Sequence, residues 1–337
     1  MNEYKQIIAE ILKKQYKPIY FLMGEEAFFI DKIIEVIENN ILTEDEKGFN
    51  FMTLYGRDVS MDEIISHAKR FPLMSDYQLI IVKEAQELSR SIDKIESYLG
   101  QMQPTTILVF AFKYKTLDKR KKYTKIISEK GVLFESKKLY DNHVESWIIQ
   151  TLKESKYGIE PKASAMLVEF LGTDLGKVNN ELEKLKIILP SGSTITAHDI
   201  EQNIGISKDY NVFELRKAIG ERDEIKSYKI IEYFAQNPKD NPMVVITAQI
   251  FSFFVQLLQY HGLKDKSSTN VASSLKINPF FVKDYEKAAK NYPMKKVSYI
   301  IDTLKTIDAK SKGLGAQNMS QHDLLKELLI HIYNHKM

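Results

Sequence analysis

Residues 18–32 read PIYFLMGEEAFFIDK. Pro18–Met23 is apolar throughout and stops at Gly24, the form of a strand buried on both faces. Ala27 to Glu38 then carries Phe29, Ile30, Ile33, Ile34 and Ile37 at helical spacing. The same alternation continues outward from this segment. Phe49–Tyr55 alternates as a strand, and Ser60-Met61-Asp62-Glu63 has the spacing of a capping box that opens a helix to Lys69. Tyr77–Val82 (YQLIIV) and Thr105–Phe112 (TTILVFAF) are two more strands of the buried kind. Leu117–Ser128 reads as a helix and Val132–Glu135 as a short closing strand. Apolar strands that alternate with helices call for a parallel sheet covered on both faces.

From Tyr140 the strand signal disappears. Helices are expected at 142–155, 162–171, 174–188 and 197–204, the last opened by the cap-like Thr196. Longer helices follow at 211–220, 224–236, 242–262, 278–290, 294–310 and 318–334. Breaks fall at Pro190-Ser191-Gly192, Asn237-Pro238, Asn241-Pro242, Asn278-Pro279 and Gly313-Leu314-Gly315. The outline is an α/β domain over 1–139, a small helical domain over 140–208 and an all-α domain over 209–337. A chain of 337 residues, 44% hydrophobic and 28% charged, has length and apolar content for three such cores.

Composition narrows the chemistry. There is no cysteine, which removes disulfides, thiolate nucleophiles, Cys-ligated zinc and iron–sulfur clusters, and agrees with a reducing cytoplasm. Met1–Gln15 reads as an amphipathic helix with Ile7, Ile8, Ile11 and Leu12 on one face, not as a signal peptide. The long apolar stretch Met243–Tyr260 is interrupted by Thr247, Gln249, Ser252, Gln256 and Gln259, so a bundle helix is expected there and no membrane span. A net charge of +3 leaves any basic surface to be local.

The strand–Gly24–helix step is where a phosphate-binding loop would sit. Such a loop needs several glycines, so that N–H groups converge on phosphate, then a Lys and a Ser or Thr for Mg²⁺. Gly24 to Lys32 instead has one glycine, Glu25 and Glu26 where an anion would dock, and no Lys-Ser/Thr pair. The strand Leu79–Val82 runs into Lys83-Glu84, where an ATPase would place an Asp-Glu pair. ATP hydrolysis is therefore not expected. No catalytic residue, bound cofactor or metal site is expected either: the seven histidines are scattered and H-E-x-x-H does not occur. His331 and His335 share a helix face but have no third ligand nearby, and Gly313-Leu314-Gly315 follows a helix and reads as its terminator.

Two surface features remain. Phe71-Pro72-Leu73-Met74 lies between the helix ending near Lys69 and the strand starting near Tyr77. Pro72 ends the helix and biases Phe71 toward an extended conformation. These apolar groups either plug the sheet edge or form a wedge for a partner's pocket. The second feature is the basic stretch Lys113–Lys138, within which Lys119, Arg120, Lys121, Lys122 and Lys125 cluster. It reads either as a solvated face or as a set of contacts to DNA phosphates.

Taken in order, PIYFLMGEEAFFIDK (18–32), FPLMSDYQLIIV (71–82), LDKRKK (117–122), LGTDLGKVNNELEKL (171–185), ITAHDIEQNI (195–204), NVFELRKAI (211–219), KGLGAQ (312–317) and LLKELLIHI (324–332) resemble the delta subunit of the bacterial DNA polymerase III clamp loader. The resemblance implies three domains: a AAA+-like α/β domain without a working P-loop, a small helical lid and a C-terminal collar. It implies a non-catalytic subunit of the replicative polymerase holoenzyme that binds the sliding clamp (beta subunit) and opens one interface of it. The partners implied are the gamma/tau and delta-prime subunits, met through the collar, and primed DNA within the complex. The clamp-binding wedge of the family matches Pro72-Leu73-Met74, with Phe71 adjacent. Motor subunits of the same loader carry a P-loop and usually zinc cysteines, and delta-prime often a Ser-Arg-Cys motif; all are missing here. The alternatives are an ATP-hydrolysing AAA+ subunit with a divergent loop at Gly24–Lys32, and a plain DNA-binding module.

Overall fold

The computed structural model describes residues 2–139, 141–205, 207, 209–315 and 319–334. The chain divides into two compact units, 1–139 and 140–337.

In the first unit the order is α1 (Asn2–Leu12), β1 (Ile19–Gly24), α2 (Ala27–Asn40), α3 (Glu44–Asn50), β2 (Phe51–Tyr55), α4 (Met61–Ala68), β3 (Gln78–Lys83), α5 (Glu96–Leu99), β4 (Thr106–Lys113), α6 (Lys122–Lys130) and β5 (Val132–Ser136). The strands form one parallel five-stranded sheet in the order β2-β3-β4-β1-β5. β1 is buried along its whole length, as the run PIYFLM requires. Ile19, Phe21 and Met23 face one core, with Ile80, Val82, Leu108, Phe110 and Phe112 from the neighbouring strands and Ile64, Ile65 and Ala68 from α4. α2 covers the opposite face with Phe29, Ile30, Ile33, Ile34 and Ile37, and α1 packs on α2. The capping box at Ser60 and Glu63 is formed.

One local reading needs correction, and two stretches left unread in the sequence form elements of their own. Leu117–Ser128 is not one helix: α6 begins only at Lys122, because the main chain and the carboxylate of Asp118 hold residues 118–121 in a turn. The polar segment Glu44–Asn50 is a helix with its own capping box, Thr43 with Glu46. Residues 85–95 form two short 3₁₀ turns that lead into α5.

The second unit contains α7 (Asp141–Glu154), β6 (Gly158–Ile159), α8 (Pro161–Leu171), α9 (Leu175–Ile188), β7 (Thr194–Ile195) and α10 (Ala197–Ile204), then α11 (Val212–Glu221), α12 (Glu224–Gln236), α13 (Met243–Gly262), α14 (Ser268–Leu275), α15 (Val282–Asn291), α16 (Met294–Ser311) and α17 (Gln321–Asn334). β6 and β7 pair in parallel, so the region after Tyr140 is not free of strands. α14 was not expected from the pattern, and Asn278–Pro279 opens a 3₁₀ turn before α15. α13 is the one helix, among the described residues, long and apolar enough to cross a membrane. Ile246, Ile250, Phe253, Phe254 and Leu257 bury one of its faces in a core shared with Leu215, Phe234, Tyr292, Ile300, Leu304, Leu328 and Ile332. α16 ends at Gly313, whose φ is 87°, with Leu314 N–H bonded back to Ala309 O, so the glycines there terminate a helix. His331 lies on α17 with Nδ1 2.7 Å from Tyr299 Oη; His335 lies outside the described residues.

A carboxylate is buried in this helical unit. Glu214, 4% exposed, meets Lys162 Nζ at 2.7 Å and Lys226 Nζ at 2.5 Å, tying α8 and α12 to α11. Burial pushes its pKa up, but the hydrogen bonds and charges of the two lysines outweigh that and leave it below the usual range.

Candidate functional site

Only Glu25 and Glu26 separate β1 from α2, whereas a phosphate loop of the G-x-x-x-x-G-K-[ST] kind spans about eight residues. The first two N–H groups of this junction are taken. Gly24 N–H bonds to Lys115 O at 3.1 Å and Glu25 N–H to Ser136 O at 2.9 Å. Glu26 accepts from Phe28 N–H and caps α2, while Ser136 Oγ donates to Glu26 O at 2.7 Å. Gly24 sits at φ 124°, and a Cβ there would lie 2.0 Å from Ser136 O. Its glycine serves close strand packing. Lys32 pairs with Glu35 at 2.8 Å and Asp31 with Lys113 at 2.6 Å.

At the end of β3, Lys83 pairs with Glu38 at 3.3 Å, and Glu84 is exposed in a left-handed turn at φ 53°. Among the described residues no three His, Asp or Glu side chains converge as metal ligands would.

The turn between α4 and β3 is built differently. Its base is closed by Gln78, whose Nε2 donates to Arg70 O at 2.6 Å and to Thr106 Oγ1 at 2.6 Å. Its tip carries Phe71, Leu73 and Met74, exposed by 79%, 58% and 97%, with Pro72 half-buried between them. None of the three plugs the sheet edge. Met74 adopts φ 55°, a conformation that non-glycine residues occupy at a cost of roughly 1–2 kcal/mol. The turn is pinned from α3: Leu73 N–H donates to Asn50 Oδ1 at 2.6 Å and Asn50 Nδ2 donates to Leu73 O at 2.9 Å. Sequence reading missed Asn50, because its partner lies 23 residues away.

The basic cluster divides into paired and unpaired members. Lys119 bonds Glu135 at 2.5 Å, Arg120 forks onto Asp118 at 2.9 Å and Lys122 reaches Glu96 at 2.5 Å. The guanidinium and N–H of Arg120 hold the Asp118 carboxyl down at about 2. Among the described residues, Lys121 and Lys125 have no acidic partner within 4.0 Å. Lys121 is the N-cap of α6, so these cations gather at the positive end of a helix.

Two family models match the chain. "DNA polymerase III, delta subunit" covers residues 20–137, and "DNA polymerase III delta subunit, C-terminal domain" covers residues 209–333. This chain belongs to the DNA polymerase III delta subunit family.

The DNA polymerase III subunit delta of Bacillus subtilis (strain 168) is 25% identical over 310 residues, 89% of each chain. The probable DNA polymerase III subunit delta of Aquifex aeolicus (strain VF5) is 18% identical over 308 residues, 87% of this chain and 86% of that one. Among solved structures, the Bacillus subtilis DNA clamp loader delta protein shares the fold with a TM-score of 0.58, at 24% identity, over 98% of this chain and 100% of that one. The chain is thus a delta subunit of DNA polymerase III, and works in a complex with other subunits of that polymerase.

One partly open pocket in this delta chain invites a ligand reading. A cavity of about 210 Å³ in the second unit is lined by Arg216, Gln249, Gln256 and Tyr285. Arg216 donates to Gln249 at 3.0 Å, Tyr285 to Gln256 at 2.5 Å, and Gln256 to Leu275 O at 3.1 Å. These four side chains bond one another or the main chain, which suits a helix joint better than a small-molecule site.

Proposed function

We propose that this delta chain binds the ring-shaped sliding clamp through Phe71, Pro72, Leu73 and Met74 and opens one of its interfaces, without hydrolysing ATP itself. The observation that carries the reading is the exposure of Phe71, Leu73 and Met74 on a turn braced at both base and tip. Burying Leu73 and Met74 in a partner's pocket would release on the order of 3–6 kcal/mol before association costs. If the turn fits the clamp better open than closed, it shifts the ring toward opening by that difference in affinity. No bond is made or broken by this subunit. The two-residue β1–α2 junction supports the absence of hydrolysis: the Gly24 and Glu25 N–H groups are already bonded and its side chains are acidic. ATP held by neighbouring subunits would then control when the wedge is presented.

The test is equilibrium binding of the full chain to the purified clamp. Leu73→Ala with Met74→Ala should weaken binding by at least ~30-fold, about 2 kcal/mol, with unfolding unchanged. Wild-type affinity in the folded double variant would sink the wedge reading. ATP turnover by the purified wild-type chain that is lost on changing Gly24 or Lys32 would sink the second half.

We further propose three domains (1–139, 140–208 and 209–337), with the last forming the collar toward gamma/tau and delta-prime, and action in the cytoplasm. Val244, Ala248 and Phe251 make an exposed apolar row on α13 that suits a subunit contact. Lys121 and Lys125 are the basic residues best placed for primed DNA, and Lys119, Arg120 and Lys122 can join them because exposed ion pairs are weak. Both assignments are checked in the reconstituted loader. Phe251→Asp should eject the chain from it, and Lys121→Ala with Lys125→Ala should flatten the salt dependence of its DNA binding.

A further inference from the structure

We infer that Asn50 is the positioning residue of the clamp-binding turn, an inference that rests on the wedge reading above. Asn50 closes α3, is 5% exposed, and pairs with the main chain of Leu73 through both halves of its amide. This pair imitates a rung between two strands. Nδ2 also donates to Glu46 O at 3.2 Å, so the amide is anchored in its own helix while it holds Leu73. The Ser75 hydroxyl, after the Thr43 N–H, helps hold the carboxyl of Glu46 on the same helix below its usual range. Leu73 is thus fastened directly before Met74, the residue with the left-handed φ of 55° and the greatest exposure in the turn. An exposed methionine has no packing of its own to keep it in that conformation. The restraint comes from α3, so the side chains of Leu73 and Met74 are aimed before the clamp arrives. A turn already ordered loses less conformational freedom on docking than a loose one.

Buried polar groups with two-sided bonds are replaceable only by groups with the same donor and acceptor. Asn50→Ala removes both bonds. Asn50→Asp keeps the acceptor for Leu73 N–H but turns an oxygen toward Leu73 O. Thr43→Ala weakens the cap of α3 without touching Leu73 or Ser75, and so controls for loss of the helix itself.

The experiment measures Kd of each full-length variant for the purified sliding clamp, beside amide hydrogen exchange in the free chain. Asn50→Ala should bind roughly tenfold more weakly, Asn50→Asp should fall between it and wild type, and Thr43→Ala should stay within about twofold. Exchange at the Leu73 amide should rise in Asn50→Ala while Ile80 and Ile81 in β3 stay protected. Adding Asn50→Ala to Leu73→Ala with Met74→Ala should cost little more, because the positioning residue acts through those side chains. Normal clamp binding by Asn50→Ala, beside a weakened Leu73/Met74 variant, overturns this inference alone. So does an equal loss of affinity in Thr43→Ala. Normal binding by the Leu73/Met74 variant overturns the wedge reading, and the role of Asn50 with it, even if Leu73 exchange still rises.

Discussion

The junction after β1 and the turn before β3 belong to the same α/β unit, yet they use their hydrogen bonds to opposite ends. At Gly24–Ala27 the bonds draw the chain inward: Gly24 and Glu25 N–H groups are taken by Lys115 and Ser136. At Phe71–Met74 the bonds come from side chains of neighbouring elements, Asn50 and Gln78, and leave the turn's own apolar groups in water. A region can thus keep the position of a catalytic loop and serve packing alone, while a plain connection presents an apolar surface to solvent. What separates them is where the fixed groups point, not how well they are fixed.

The largest effect that would break this contrast is on folding. Gly24→Ala places a Cβ against Ser136 O at φ 124°, and strain plus overpacking should cost roughly 3–5 kcal/mol in denaturant unfolding. A mild loss of stability there would mean that the junction is looser than a packing element should be. Next comes Leu73→Ala with Met74→Ala, which should reverse the pattern: a loss of clamp binding of at least about 2 kcal/mol and little change in unfolding. A smaller and more discriminating change is Met74→Gly. It relieves the left-handed conformation and should stabilise the fold by about 0.5–1 kcal/mol while still weakening the clamp complex. A destabilised Met74→Gly would mean that the side chain packs rather than presents.

The smallest effect is a pH dependence. The backbone N–H of Thr43 comes first, then the side chains of Ser75 and Thr43, in holding the Glu46 carboxyl below its ordinary value of 4.5. A lowered folded value means that the support from Glu46 is complete above the unfolded value and fades as pH falls through the folded one. Chemical shifts of Leu73 to Ser75 should therefore change only below about pH 4.5, and Glu46→Gln should remove that step. A transition nearer neutral pH would point to a different group.

Much of the fold was legible because its signals are local and strong. Apolar runs such as YQLIIV and TTILVFAF can hardly be anything but interior strands, and Ser60 with Glu63 marks a helix start within four residues. The same rule marks Thr43 with Glu46, but α3 has too few apolar residues to stand out, and it is held by its cap and by the turn it braces. The turn at 118–121 was masked by helix-forming residues, since only the bonds gathered on Asp118 override their propensity. Two-residue strands such as β6 and β7 carry no periodicity and exist through each other.

The candidate site divides in the same way. Pro72 among four residues with large apolar companions could be picked out at a break between a helix and a strand, and the lack of glycines after Gly24 could be counted. By itself the sequence determined the parallel α/β unit, the helical remainder, the absence of a phosphate loop and the presence of an apolar turn, because each is written in residues close together. Tertiary structure alone decided that Phe71, Leu73 and Met74 face solvent, that Asn50 bonds the main chain of Leu73, and that three of the five clustered cations are already paired. Exposure and pairing depend on what else occupies the space around a side chain, and those neighbours come from distant parts of the chain.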